Sequence, residues 1–297
     1  MKYIEKHPMI MIVVGVIGIS LSSIFVKYSA APSAVTAAFR LLWTVILMTP
    51  VVLGKREVRR EFSQLDIKSL LLSALSGLFL AIHFAVWFES LRHTSVASST
   101  TIVCTEVIWV SLGFCLFMKG RLSGKAIFAI AVTLVGSAFI AYADSFTGTS
   151  HLYGDMLALI AAVAVAVYML IGRAVRAKVS TTVYTYTVYI VCALSLLAMC
   201  FIGGYGLFDY GISAIIVGLL LAVFSTILGH SIFSWCLKFF SPSFVSASKL
   251  CEPVVAAILA IFLFGELPSL LQILGSLLIL GGVYYYSVIE RKSQNTD

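Results

Sequence analysis

Glu106, Glu252, Arg40, Lys249 and His83 each stand inside a long apolar run, where a charge is costly unless it has a partner or a task. Glu106 lies near the centre of its run, and a carboxylate there shifts toward its neutral form or seeks a partner. Trp109 follows three residues on, so the two can set a carboxylate beside an aromatic wall, an arrangement suited to an organic cation. Two roles are open to Glu106: to bind proton and solute in competition, or to hold a structural ion pair with Arg40 or a hydrogen bond across helices. Arg40, with Trp43 and Thr44 one turn away, can receive a carboxylate through two parallel bonds, hold an interhelical pair, or snorkel toward the outer headgroups.

Lys249 and Glu252 are spaced i, i+3 and are expected to neutralise one another as a structural pair. Pro253 then removes a backbone donor, which makes a bend or hinge at that point. His83, with Trp87 one turn on, serves as a proton relay or as a hydrogen-bonded packing residue. Tyr168 and Tyr186 supply cavity hydroxyls and rings, or else anchor span ends at the interface. All six cysteines fall in apolar runs without clustered spacing, so neither a disulfide framework, a metal site nor a cofactor is expected.

The elements that hold these residues must be membrane spans. Hydrophobic residues make up 61% of the 297 positions, charged residues only 11%, and the mean hydropathy is +1.06. Ten runs approach the ~20 residues that cross the hydrocarbon core as helix: 9–28, 34–53, 69–91, 96–117, 124–142, 152–173, 182–203, 213–236, 243–264 and 268–289. The connections between them are short. The net charge of +7 does not point to nucleic acid, because the basic residues alternate between loops. Lys55, Arg56, Arg59 and Arg60 share a side with both termini, whereas Lys27 and Arg92 lie opposite. Both termini are therefore expected in the cytoplasm, in a plasma (cell inner) membrane.

Shifted by about 147 residues, the chain matches itself: His83 falls on His230, and Glu106 within one residue of Glu252. The halves, 1–148 and 149–297, hold five spans each, so the second enters the membrane inverted with respect to the first. Inverted repeats place a binding site near the midplane and allow it to open alternately to either side, which is how transporters are built. A channel would need a re-entrant filter or a ring of charges, and no nucleophile, metal or ATP-binding motif marks an enzyme or a pump.

The segments AFRLLWTVILMTP (38–50), SLRHTSVASST (90–100), GDMLALIAAVAVAVYMLIGR (154–173) and CEPVVAAILAIFLFGELPSLLQILGSLLILGGVYY (251–285) resemble the EamA-type members of the drug/metabolite transporter superfamily. The resemblance implies an all-α integral membrane protein of ten helices, with a solute cavity among spans one to four and six to nine. It implies export of amino acids, related metabolites or toxic compounds. Glu106-Val107 departs from the pattern, since the family usually has proline in span four to match span nine. The expected activity is secondary transport of a small organic solute (an amino acid, amine or organic cation), by efflux in exchange for protons at Glu106. Facilitated or gradient-driven amino acid movement at Arg40 without proton coupling, and a membrane receptor or scaffold, are the alternatives. The partners are the solute, membrane lipid and protons, with a homodimer left open.

Overall fold

In hydrocarbon only a helix satisfies every backbone N–H and C=O within its own segment, so apolar runs of this length have one conformation open to them. The computed structural model describes residues 8–94, 96–145, 152–252, 254–255, 258–259 and 269–294, and contains no strand among them. Its helices are α1 (Pro8–Ser20), α2 (Ser22–Lys27), α3 (Ser33–Gly54), α4 (Arg56–Ser63), α5 (Ile67–His93), α6 (Val96–Cys104), α7 (Glu106–Met118), α8 (Gly124–Ser145), α9 (Leu152–Arg176), α10 (Thr181–Ile202), α11 (Gly211–Leu220), α12 (Ile232–Cys236), α13 (Pro242–Lys249) and α14 (Leu270–Gln294). A π-helix, Leu221–Ser231, joins α11 to α12.

Among the described residues, eight helical segments are long and apolar enough to cross a membrane. Three of them are composite: α1–α2, α6–α7, and α11 through the π-helix to α12. Within α8, Gly124–Phe139 is a shorter apolar stretch. The expected ninth span is described only in part, and Pro253, the expected hinge, lies outside the described residues.

Helix starts follow local chemistry. Asp66 accepts from the backbone N–H of Ser69 at 2.9 Å, Ser180 from Val183 at 3.3 Å, and Ser241 from Phe244 at 3.2 Å with Pro242 in the first turn. The connection at 54–66 contains α4. Val58 and Phe62, one turn apart, pack inward, while Lys55, Arg56, Arg59 and Arg60 are exposed. Glu61 Oε1 of this helix accepts from the N–H of Ser180 at 2.6 Å, tying it to the start of α10.

The outside of the bundle is apolar, and the inside, though built largely on apolar side chains, also holds the charged groups of the spans. Ile10, Val13 and Ile17 face outward on α1, and Phe201 is 87% exposed, whereas Arg40, His83, Glu106, His230 and Lys249 are buried. An apolar exterior around enclosed charges suits a protein whose solvent is lipid. The helices α9 and α5 pack together, as do α10 and α5, α10 and α3, α11 and α3, α1 and the π-helix, α7 and α13, and α8 and α14. Glycine permits the closest of these approaches: a Cβ on Gly77 would stand 2.6 Å from the carbonyl oxygen of Val188 in α10.

Candidate functional site

Charged groups withdrawn from water must find partners, and here Arg40, Glu106, Lys249 and Glu252 collect around one small internal cavity in the bundle. Its volume, measured as room for the centres of water-sized molecules, is ≈ 40 Å³, space for about three waters. Arg40, His83, Trp87, Glu106, Lys249 and Glu252 line it, with His230 from the π-helix and smaller contributions from α1, α2, α6 and α9. None of its lining residues comes from α8 or α14, which pack on each other. A wider groove of ≈ 380 Å³ runs between α4 and the start of α10, lined by Glu57, Arg60, Glu61, Asp66 and Lys178, and involves none of the buried charges.

Arg40 is 1% exposed, so it does not snorkel to the headgroups. Its Nε donates to Thr226 Oγ1 at 2.7 Å and its Nη1 to Ser22 Oγ at 3.3 Å, while the guanidinium lies 4.0 Å from the centroid of Phe84. Nη2 has no hydrogen-bond partner. Thr226 is presented by the π-helix, whose wider turn shows in Thr226 Oγ1 and Ser231 Oγ each donating to the carbonyl five residues back.

Glu106 does not pair with Arg40. Lys249 Nζ lies 2.9 Å from Glu106 Oε1, and Ser246 Oγ donates to the same oxygen at 3.0 Å. The expected pairing of Lys249 with Glu252 is not made either, because the Lys249 amine is taken by Glu106 across the bundle. α13 ends at Lys249, and the chain turns through Leu250 and Cys251, whose N–H groups bond three residues back. Glu252 Oε1, three residues on, is left without a partner.

Span four is broken at the matching place. Thr105 separates α6 from α7, its N–H and Oγ1 both bonded to the carbonyl of Ile102. The proline that the family pattern leads one to expect there is absent, yet the helix is interrupted, and Glu106 is the first residue after the break.

The histidines meet. His83 Nδ1 contacts the carbonyl of Ala161 at 3.0 Å, its ring stacks on Trp87 at 5.8 Å between centroids, and His230 is 6.3 Å away. Trp87 Nε1 is buried without a partner. Tyr168 stands behind the cavity, its hydroxyl 2.7 Å from Ser234 Oγ and its ring 6.1 Å from His230.

Three expected residues lie elsewhere. Trp109 is 36% exposed and makes no wall beside Glu106. Trp43 donates to the carbonyl of Ile215 at 3.1 Å, which anchors α3 on α11. Tyr186 bonds Thr49 at 2.8 Å and packs edge-on against Phe62 of α4. Ser22, Thr226 and Ser246 had no signal in sequence beyond being hydroxyls in apolar runs, although Ser246 sits one turn before Lys249. Among the described residues, no group of three or more His, Cys, Asp or Glu side chains is gathered to hold a metal ion.

A multi-pass helical bundle, apolar outside and charged around one internal cavity, has the construction of a membrane transporter. The chain belongs to the EamA-like transporter family, whose model matches residues 7–142 and again 152–288. It is similar to an "uncharacterized transporter" of Clostridium kluyveri, 23% identical over 260 residues, covering 84% of this chain and 83% of that one. The "uncharacterized transporter YxxF" of Bacillus subtilis (strain 168) is 24% identical over 282 residues, covering 94% and 87%. A solved crystal structure superposes with a TM-score of 0.77 at 17% identity, covering 97% of this chain and 98% of its own, which is a likeness of fold.

Proposed function

We propose that this transporter is a secondary exporter of a small zwitterionic solute, such as a neutral amino acid, worked by alternating access at the internal cavity. The observation that carries the reading is the set of unpartnered atoms: two donors, Arg40 Nη2 and Trp87 Nε1, and one acceptor, Glu252 Oε1, all on residues lining that cavity. A buried polar atom without a partner calls for an absent one. A carboxylate accepting from Arg40 and Trp87, with an ammonium donating to Glu252, completes all three.

In this reading the chain is ten helices in two inverted halves, 1–148 and 149–297. Support comes from the packing, since α9 on α5 corresponds to α1 on the π-helix, and α10 on α5 to α11 on α3. The repeat mates His83 and His230, and Glu106 and Glu252, line one cavity, as residues near a pseudo-two-fold axis do. Glu106 is neutralised by Lys249, so Glu252 becomes the carboxylate that exchanges a proton for the solute. The exporter sits in the plasma membrane with cytoplasmic termini, as the loop charges favour.

The cavity holds about three waters, so solute entry requires the halves to part. Thermal melting of the purified protein against neutral amino acids, simple amines and simple carboxylates tests the reading, because a ligand of the folded state raises its stability. Zwitterions are expected to raise the melting temperature where amines and carboxylates of equal size do not. Equal stabilisation by amines alone would remove Arg40 from the solute site.

A further inference from the structure

Two broken helices meet at one ion pair. The break in span four places Glu106 first after Thr105, and the break in span nine places Lys249 last before Leu250 and Cys251. The pair closes the space between them at 2.9 Å, with Ser246 bonded to the same carboxylate oxygen, and Glu106 and Lys249 are only 3% and 8% exposed. The remaining contacts of the Lys249 amine are weak ones, the Met169 sulfur at 3.3 Å and the Phe233 ring at 5.5 Å. Glu252, three residues along the same chain and on the same cavity, has an oxygen with no partner.

We propose that Lys249 is a positioning residue that trades partners during transport: bound to Glu106 it latches spans four and nine together and closes the cavity, and moved to Glu252 it releases them. A buried ammonium that simply lost Glu106 would be left uncompensated. The waiting carboxylate removes that obstacle, because Lys249 keeps a full ion pair at either end of the move. The latch joins the two halves, whereas the alternative pair lies within one half, so only the first resists their parting. Neither Glu106 nor Lys249 needs to touch the solute. The transport reading supplies the purpose of the switch, but the switch can be observed without any solute.

Ile19 lines the cavity and is 6% exposed, so in an Ile19→Cys background the rate of modification by a charged methanethiosulfonate in detergent, read at that residue by mass spectrometry, reports opening. Glu106→Gln is expected to speed modification about tenfold, as the latch is lost and Lys249 passes to Glu252. Glu252→Gln alone leaves the latch and the slow rate. Glu106→Gln with Glu252→Gln returns the rate to within about threefold of the background, since Lys249 then has no carboxylate to move to. The exchanged pair Glu106→Lys with Lys249→Glu restores the latch with the charges reversed and modifies slowly, which guards against reading a folding defect as opening. An unchanged rate in Glu106→Gln, a fast rate in the exchanged pair, or a double glutamine variant as fast as Glu106→Gln would overturn the proposal. A result of that kind leaves the melting test of the solute site untouched.

Discussion

Arg40 is held by Thr226, Ser22 and the face of Phe84, yet one of its terminal nitrogens has no partner. A planar fork fixed in this way presents a donor in one direction, which a flexible ammonium cannot reproduce. Arg40→Lys is therefore expected to keep the fold and weaken solute affinity by about tenfold or more, measured by isothermal titration. Arg40→Ala also strands Thr226 and Ser22, at about 1–3 kcal/mol of stability, seen as a lower melting temperature. Glu252→Gln keeps shape and hydrogen bonding while removing the exchangeable proton. Its solute exchange at equal pH should persist, and acceleration by an imposed pH gradient should vanish; gradient-driven flux in that variant would place the coupling elsewhere. At this scale the sequence was a fair guide to which residues are buried but a poor one to their partners. Arg40, Glu106, Lys249, Glu252, His83 and Trp87 all reach the cavity, because a charge inside an apolar run has to turn inward. Their pairing depends on a break at Thr105, which no residue type there announces, and on one at Leu250–Cys251, just ahead of Pro253 in the sequence.

Helices are where the pattern was most legible, since length and apolarity alone define a span, and least legible where the helix changes its winding. The π-helix Leu221–Ser231 brings Thr226 to Arg40 and His230 to His83, and nothing in LAVFSTILGHS separates a π turn from an α turn. Trp109 was misplaced because its i, i+3 relation to Glu106 assumed that the helix face at Glu106 was also the inner face at Trp109. Two predictions belong here. Gly77→Ala drives a methyl against the carbonyl of Val188, 2.6 Å away, and should cost about 1–3 kcal/mol, read as a fall in melting temperature. Asp66, outside the spans, caps α5, and bonds from Ser69, its hydroxyl foremost and its N–H next, hold the carboxyl below its ordinary value of 3.8. A lowered folded value means the cap's contribution is complete above the unfolded value and is lost as pH falls through the folded one. Asp66→Asn, which keeps the cap, should lose that acid-side dependence in a melting curve taken against pH.

At the scale of the molecule, the two successive matches to the family model and the internal likeness of the sequence point to the same duplication. In the proposed two-fold arrangement, a cavity near the axis would gather mates from both halves, and two histidines and two carboxylates do line this small volume. The most direct test is release of a labelled neutral amino acid from liposomes containing the purified protein, with the exterior made acidic or left at the internal pH. The account predicts release that depends on the protein, accelerates with the acidic exterior and falls about tenfold in Arg40→Lys at low solute concentration. Release at the same rate with wild-type protein, Arg40→Lys protein and empty liposomes would contradict it.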